Sequence, residues 1–347
     1  MDTTTTGFRT AGQEKLIDVE TDVLKVTFSN KGGQPRRVEL KKYQSFNGTP
    51  AALLEAEAER FSYSIFSAPG QSIAVQDLYF QPGTLVRRPD QSQVLTFQAI
   101  GDAGQTITHT YILRDKDYLI DWTPSFTGAD RLFDLGNLNL SWQVQPHQLE
   151  SDVVYERQQT NIGFVENGDF DYIQSKNEKQ WEQPVDWVGI SQQFFNTTLI
   201  AKNKFTAGNV LFNRETKTSS DKIADVLVSL KVRLPAGTNT EFPMQWYFGP
   251  NDYRILKELP VEDLDKLVNL GRDMYAFVRP INKFIVMPVF DFFHRFILSF
   301  GLVIALLTLF IRLATSPLVY TSYLSGAKMK ALRPEIDQLK AKYGEDQ

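Results

Sequence analysis

The 347 residues contain no cysteine, only three histidines and one long apolar run. The absence of cysteine excludes disulfide bonds, thiolate metal ligands and a cysteine nucleophile within this chain. The histidines, His109, His147 and His294, are scattered and give no HExxH or similar metal-binding spacing. The GxSxG, P-loop and GxGxxG motifs are also missing. These patterns therefore indicate no enzyme, no metal site and no cofactor.

An excess of positive charge is also lacking. The formal net charge of −4 argues against a general nucleic-acid-binding protein. The first fifteen residues are polar and have no apolar core, so we expect neither a signal peptide nor a transmembrane helix there. We predict that residues 1–16 are disordered. A large domain outside the cytoplasm would then need an export segment upstream.

The apolar run covers residues 296–320 and contains a single charged residue, Arg312. A helix of this length spans roughly 36 Å, enough to cross a hydrocarbon core of roughly 30 Å. At about 100° per residue, small and polar side chains share the face of Arg312, and bulky apolar ones take the other face. The first set is Gly301, Ala305, Thr308, Thr315 and Ser316, and the second is Val303, Leu306, Leu307 and Phe310. The run predicts a transmembrane helix whose polar face looks onto a protein interior or a water-filled cavity.

The position of Arg312 admits a second interpretation. A charged side chain at the centre of a membrane helix costs about 2.5–3.5 kcal/mol on insertion scales. In the alternative, the apolar span ends near Ile311, and Arg312 reaches the headgroup layer through its aliphatic stem. Apolar residues continue from Leu313 to Tyr320, and the polar residues share one face, which favours the first interpretation.

Residues 17–250 alternate between apolar and polar side chains in many short segments. The clearest segment runs from Val226 to Leu234, and Leu24–Phe28 and Leu138–Val144 show the same period. A period of two is typical of strands that bury one face. Turn sequences separate the segments: Asn30–Gly33, Asn47-Gly48, Pro82-Gly83, Asn167-Gly168 and Pro235–Gly237. We therefore predict a mainly β fold with a large antiparallel sandwich over residues 17–250.

After Pro250 the apolar spacing becomes helical. We expect residues 251–278 to end the β domain with short helices, interrupted at Pro260. Residues 279–295 place aromatic and aliphatic side chains on one side and charges on the other, and Pro288 should bend or break this helix. An amphipathic helix directly before a membrane span is typical of the membrane interface. The alternative is a helix that packs on the β domain.

Residues 321–347 follow the span with apolar side chains at helical spacing, and Pro334 should lie near a helix start or kink. We interpret this segment as the start of a helical hairpin. Five basic residues follow the span, and three directly precede it. They are Lys328, Lys330, Arg333, Lys340 and Lys342 after the span, and Arg279, Lys283 and Arg295 before it. This small bias favours a cytoplasmic C-terminus.

Several segments resemble the YidC branch of the YidC/Oxa/Alb membrane protein insertases, in its Gram-negative form. They are residues 19–33 (VETDVLKVTFSNKGG), 187–195 (WVGISQQFF), 247–250 (YFGP, with Tyr253 and Leu256), 310–318 (FIRLATSPL) and 327–336 (AKMKALRPEI). The last two are the most specific, because in the family they form an arginine-bearing transmembrane helix and the start of a cytoplasmic hairpin. The family's first transmembrane helix and its remaining core helices would lie outside these 347 residues.

The resemblance implies a multi-pass protein of the bacterial inner membrane, with a periplasmic β-supersandwich that docks on the Sec translocon. It implies an insertase that is not an enzyme and uses no cofactor. Arg312 would give positive charge to a hydrophilic groove lined by Thr308, Thr315 and Ser316. The groove would receive the acidic or polar N-terminal tails of nascent membrane proteins. The implied partners also include the lipid bilayer and, through the cytoplasmic region of the whole protein, the ribosome, but not nucleic acid directly.

A rival hypothesis is a membrane-anchored carbohydrate-binding or carbohydrate-modifying β-sandwich, in which the helix is only a tether. This hypothesis predicts a concave cluster of aromatic and carboxylate side chains on the β domain. It also predicts that Arg312 can be replaced freely. The insertase hypothesis predicts that the charge of Arg312 is needed.

Overall fold

The computed structural model describes residues 7–55, 59–68, 71–271 and 277–344. The chain divides into two compact units, Met1–Val268 and Asn269–Gln347. The first unit holds three antiparallel sheets, and the described part of the second is helical. The predicted mainly β fold with a C-terminal apolar helix is therefore confirmed.

The smallest sheet has four strands in sequence order. They are β1 (Leu16–Glu20), β2 (Leu24–Ser29), β3 (Gln34–Gln44) and β4 (Pro50–Glu55). In β2 the predicted alternation is observed, since Leu24, Val26 and Phe28 are each no more than 1% exposed. Burying these side chains is what fixes the register of β2 between its neighbours.

A second sheet of six strands has the order β15-β18-β19-β12-β5-β6. Its strands are β5 (Arg60–Ala68), β6 (Gln71–Ala74), β12 (Asn137–Val144), β15 (Glu178–Trp181), β18 (Ala207–Arg214) and β19 (Ala224–Arg233). The strands at its two ends, β6 and β15, have four residues each. The strand predicted at Val226–Leu234 is thus central in this sheet, and its apolar side chains face the core.

The largest sheet has eleven strands and follows the path β14-β13-β16-β17-β21-β11-β10-β9-β7, with β20 beside β11 and β8 beside β9. The strands are β7 (Gln81–Pro82), β8 (Val86–Arg87), β9 (Gln93–Ile100), β10 (Thr106–Leu113), β11 (Leu119–Thr127), β13 (Asn161–Glu166), β14 (Asp169–Ile173), β16 (Val185–Ser191), β17 (Phe195–Phe205), β20 (Asn239–Glu241) and β21 (Met244–Pro250). The end strands β7 and β8 have two residues each.

Both smaller sheets pack on one face of the eleven-stranded sheet. Trp246 of β21 contacts Phe61 of β5 and Trp142 of β12, with ring centroids 5.2 and 5.0 Å apart and the rings nearly perpendicular. From the four-stranded sheet, Phe28 contacts Tyr111 of β10 at 4.8 Å. Edge-to-face pairs of this kind add to the burial of large rings. The core between the sheets therefore includes an aromatic layer.

A glycine turn enters this layer. Gly33 has φ +57°, in the left-handed region that favours glycine, and its carbonyl accepts hydrogen bonds from Tyr111 Oη and His109 Nδ1, both at 2.9 Å. Since a carbonyl only accepts, Nδ1 of His109 carries the proton, and Nε2 accepts from Tyr63 Oη at 2.7 Å. His109 is thus a buried, fully bonded structural histidine.

The burial of His109 makes the free energy of unfolding of the β unit depend on pH. Desolvation lowers the pKa of His109 from 6.5 to about 4, and the bond to Gly33 opposes this shift only in part. Because the unfolded state takes up a proton first, stability is lost as pH falls from 6.5 towards 4, by about 3 kcal/mol. We expect His109→Gln to remove this loss in urea unfolding at pH 7, 5.5 and 4.5.

The wild type must be compared with His109→Gln, because the titration of Glu156 changes stability with pH in the opposite direction. Burial raises the pKa of Glu156 from 4.5 to about 7, so its contribution to stability increases as pH falls from 7 towards 4.5. Only the difference between the wild type and His109→Gln isolates the histidine. Equal pH profiles for the two proteins would contradict a neutral buried His109.

One prediction for the β unit needs correction. Residues 7–15 are ordered rather than disordered: Phe8 is 6% exposed, and Tyr79 N donates to the carbonyl of Arg9 at 2.8 Å. The prediction for residues 1–6 lies outside the described residues. The helical spacing from Leu256 onward gives a short helix, α3 (Tyr253–Glu258), and a 3₁₀ turn at Leu264–Leu267. Two other short helices are α1 (Ala129–Leu132) and α2 (Val153–Gln159).

The second unit contains helical segments in succession. They are α4 (Val278–Ile281), a π-helical turn (Asn282–Val286), α5 (Met287–Phe296) and α6 (Phe300–Tyr343). Pro288 lies in the first turn of α5, where its missing N–H leaves no bond unmade in the helix that follows. The helical path continues past Pro288, and the interruption predicted there takes the form of the change from π to α geometry.

The apolar helix begins later than predicted. Phe296 ends α5, Ile297 is extended at φ −128° and ψ 116°, and α6 starts at Phe300. Residues 297–299 therefore form a connection that apolar composition alone could not distinguish from helix. At its other end α6 runs without a break through Pro334 to Tyr343, so Pro334 is not a helix start.

Candidate functional site

The helix α6 carries the residues that the sequence singled out. It contains the one segment of the described chain that is long and apolar enough to cross a membrane. Thr308, Arg312, Thr315 and Ser316 all lie in one continuous helix, so regular 100° spacing places them on one side of it. Within the described residues, no carboxylate lies at ion-pair distance from Arg312.

The three hydroxyl groups of this face donate to carbonyls of their own helix. Thr308 Oγ1 donates to Ile304 O at 2.8 Å, Thr315 Oγ1 to Ile311 O at 2.8 Å, and Ser316 Oγ to Leu313 O at 2.9 Å. Each hydroxyl proton is thus used within the helix, and the oxygen lone pairs remain able to accept. The face combines one cation with three acceptors, an arrangement suited to water and to polar or anionic groups.

The preceding helical stretch, residues 278–296, exposes large aromatic side chains. Phe284, Phe292 and Phe296 are 70%, 61% and 71% exposed. Arg279, Lys283 and Arg295 supply its positive charge. Apolar rings together with basic side chains are typical of helices that lie at a lipid surface. The interfacial position stays a prediction.

Segments 187–195 and 247–253, which carried part of the family resemblance, meet in the β unit. Asn251 Nδ2 donates to Ser191 Oγ at 3.1 Å, Gln192 O at 2.8 Å and Phe195 O at 3.2 Å. Asn251 N donates to Phe194 O at 2.7 Å. One asparagine therefore fixes the whole β16–β17 turn and leaves Phe194 52% exposed at its tip. The sequence alone gave no signal for Asn251, because its partners lie about sixty residues earlier.

Helix α2 joins the same region through two neighbouring buried charges. The carboxylate of Glu156 accepts from Leu149 N at 3.1 Å and from Gln192 Nε2 at 3.0 Å. The guanidinium of Arg157 donates to the carbonyls of Lys217, Ser220 and Lys222 at 3.1, 2.6 and 2.7 Å. Glu156 and Arg157 thus hold loops on two sides of α2, which explains why charged residues are buried here.

The glycines of WVGISQQFF and of β13 have a packing role. A Cβ at Gly163 would lie 2.4 Å from Leu267 Cδ2, and one at Gly189 would lie 2.4 Å from Thr198 Oγ1. Trp187 Nε1 donates to Glu262 O at 2.9 Å. Leu267, in the segment after α3, therefore packs closely on Gly163 of β13, whereas Gly189 of β16 makes room for Thr198 of the neighbouring strand β17.

Two openings among the described residues of the β unit lack the concave aromatic and carboxylate cluster that the carbohydrate hypothesis predicted. One of about 430 Å³ contains Glu14, Glu59 and Asp77 in its wall. The residues that line this opening include carboxylates but no aromatic side chain. Trp142 and Trp246 line a separate opening of about 20 Å³ and are only 2% and 3% exposed, because they pack on each other.

A wider groove of about 690 Å³ crosses the outer face of the six-stranded sheet. Glu178, Asn209 and Lys231 are among its lining residues, and its one tryptophan, Trp181, is 1% exposed. Among the described residues no group of three His, Asp or Glu side chains has the geometry of a metal site.

The described chain is a large antiparallel β unit followed by a helix with exposed aromatic residues and by a long apolar helix that bears an arginine. This combination is that of a large β domain joined to a candidate membrane span. Residues 16–286 match the family model described as YidC periplasmic domain, and residues 292–347 match the model described as 60Kd inner membrane protein. The chain therefore belongs to the YidC family.

Curated relatives agree over nearly the whole chain. Membrane protein insertase YidC of Amoebophilus asiaticus is 31% identical over 351 residues, covering 97% of this chain and 57% of the relative. The Porphyromonas gingivalis protein of the same name is 30% identical over 352 residues, covering 97% and 55%. The chain thus spans about half the length of the curated relatives that it matches.

Solved structures resemble this chain only distantly. The Slr1438 protein of Synechocystis gives a TM-score of 0.43 at 9% identity, covering 69% of this chain and 97% of that one. A galactose mutarotase-like protein of Lactobacillus casei also gives 0.43, at 10% identity, covering 67% and 100%.

Proposed function

We propose that this chain is part of a membrane protein insertase, in which the arginine face of α6 lines a polar groove within the bilayer. The observation that carries the proposal is the placement of Arg312 with Thr308, Thr315 and Ser316 in the apolar helix. In this proposal residues 17–268 lie in the periplasm, α6 crosses the inner membrane, and the basic residues beyond 320 lie in the cytoplasm.

The physical basis of the proposed activity is electrostatic. A cation that is partly removed from bulk water attracts a carboxylate more strongly than it does in water. A hydrated groove also shortens the apolar barrier that a polar tail must cross. The transmembrane segment of the client then moves sideways into lipid, driven by burial of its apolar surface. No bond is made or broken, so the proposed activity is not enzymatic and needs no cofactor.

The proposed substrates are nascent membrane proteins with acidic or polar N-terminal tails. One helix cannot enclose a groove, so the other membrane helices of a multi-pass parent would complete it. We propose the Sec translocon as a partner of the periplasmic unit, and the ribosome as a partner of the cytoplasmic region of the parent. The lipid bilayer would contact the aromatic helix at residues 278–296.

Single cysteines test the proposed groove, since these 347 residues contain none. In a cysteine-free full-length parent in membranes, we expect cysteines at positions 308 and 315 to react with a membrane-impermeant maleimide. Matched cysteines at positions 306 and 310, on the bulky face, should react about tenfold more slowly, because lipid or packed protein excludes the reagent. Equal, slow reaction at all four positions would contradict a hydrated face.

The same cysteines test contact with a client. A cysteine placed in the acidic tail of a stalled client should form a crosslink with position 308 or 315 and not with 306 or 310. Crosslinks to the bulky face alone would show that the client takes another route.

A further inference from the structure

Two prolines lie inside α6, Pro317 and Pro334. A proline inside a helix has no N–H, so the carbonyl four residues earlier loses its backbone donor. For Pro317 that carbonyl belongs to Leu313, and for Pro334 it belongs to Lys330. Water can serve such a carbonyl outside the bilayer, but within hydrocarbon an unpaired carbonyl is strongly unfavourable. Leu313 lies within the apolar run 296–320, whereas Lys330 lies beyond it.

The carbonyl of Leu313 has a substitute donor. Ser316 Oγ donates to Leu313 O at 2.9 Å. Within the described residues, no side chain donates a hydrogen bond to the carbonyl of Lys330. The residue before Pro334 is an arginine, not a serine. A hydroxyl therefore replaces the missing N–H at the proline of the apolar run and not at the other one.

The hydroxyls of Thr315 and Thr321 differ from that of Ser316, because each bonds a carbonyl that also has a backbone donor. Thr315 Oγ1 donates to Ile311 O at 2.8 Å, and Thr321 Oγ1 donates to Pro317 O at 2.9 Å. In a continuous α-helix each of these two carbonyls also faces the backbone N–H of the same threonine. Removing either threonine hydroxyl leaves its carbonyl bonded, whereas removing that of Ser316 leaves Leu313 O without a donor.

We propose that Ser316 is a positioning residue for Arg312. Its hydroxyl keeps the turn from Leu313 to Pro317 helical, so the polar face continues from Thr308 through the proline. Without it, the carbonyl of Leu313 must take a donor from groove water, the turn that follows Arg312 loses its regular helical geometry, and the direction of the Arg312 side chain relative to the rest of the polar face changes. This inference rests on the proposed function of Arg312.

The test is a double-mutant cycle in the full-length parent, in cells depleted of their own insertase. We expect Ser316→Ala to lower insertion of a client with an acidic tail roughly tenfold. Ser316→Thr keeps a hydroxyl and should insert nearly as the wild type does. In the double variant Ser316→Ala with Pro317→Ala, residue 317 regains an N–H, so insertion should return to the level of Pro317→Ala alone. Thr321→Val is the matched control and should have no effect.

A second readout separates positioning from loss of folding. The maleimide reaction of a single cysteine at position 308 should change rate in Ser316→Ala and recover in the double variant. If Ser316→Ala inserts normally while Arg312→Ala does not, the positioning role is wrong and the proposed function stands. If neither variant is impaired, the proposed function itself fails. If Ser316→Ala is impaired and Pro317→Ala gives no recovery, the hydroxyl does not act through the Leu313 carbonyl.

Discussion

Replacing Arg312 by alanine in the full-length parent should reduce insertion of a client with an acidic tail by about tenfold to a hundredfold. A hydrogen bond to a charged partner contributes about 1.5–3 kcal/mol, and each 1.4 kcal/mol is about tenfold. Arg312→Lys keeps the positive charge and should retain most of the activity. The measurement is the fraction of a pulse-labelled client that becomes protease-accessible in the periplasm of cells depleted of their own insertase.

The client provides the control for the Arg312 experiment. When the tail carboxylates are changed to amides, the difference between Arg312→Ala and the wild type should shrink to less than about threefold, since the attraction between the two charges is gone. An undiminished difference would mean that Arg312 acts on the structure of the groove rather than on the tail. Normal insertion by Arg312→Ala would contradict the electrostatic mechanism.

Replacing Trp246 by alanine should lower the free energy of unfolding of the β unit by about 4 kcal/mol. Trp246 is 3% exposed and contacts rings from the opposing sheet. Removing a buried tryptophan typically costs about 3–5 kcal/mol, and perpendicular ring pairs add to the loss. Domains of this kind are stable by about 5–15 kcal/mol, so the change is a large share of the total.

Urea unfolding of the 347-residue chain in detergent, followed by far-ultraviolet circular dichroism, measures this loss. Trp246→Phe keeps a ring between the sheets and should lose less than half as much. Ser141→Ala is the matched control, because Ser141 is an exposed neighbour of Trp142 and should change stability by no more than about 0.5 kcal/mol. A loss below about 1 kcal/mol in Trp246→Ala would show that this aromatic layer does not hold the sheets together.

The architecture of the β unit was predictable because a period of two is a local signal. The alternation at Val226–Leu234 gave β19 to within two residues at each end, and the paired Asn167 and Gly168, with φ +55° and +86°, form the turn between β13 and β14. The order of strands in the three sheets was not predictable. It depends on contacts between distant residues, such as those of Trp246 with Phe61 and Trp142.

The candidate site, too, was predictable from the sequence only in part. The face shared by Arg312, Thr308, Thr315 and Ser316 followed from helical spacing alone, and α6 is helical throughout these positions. The start of the helix at Phe300 did not follow, since residues 296–299 are as apolar as those after them. The bond from Ser316 to Leu313 was also missed, although the sequence Ser316-Pro317 contains its cause, a hydroxyl beside a residue without an N–H.

Short strands end the six-stranded sheet on both sides and the eleven-stranded sheet on one side, which has a consequence for aggregation. Strands β6, β7, β8 and β15 have only two to four residues. An extended foreign segment can add to a sheet only along exposed, unpaired backbone groups, and so few of them give a poor template. These edges of the β unit therefore offer unfolded polypeptides little backbone to pair with, which leaves β14, with five residues, as the longer end strand of the eleven-stranded sheet.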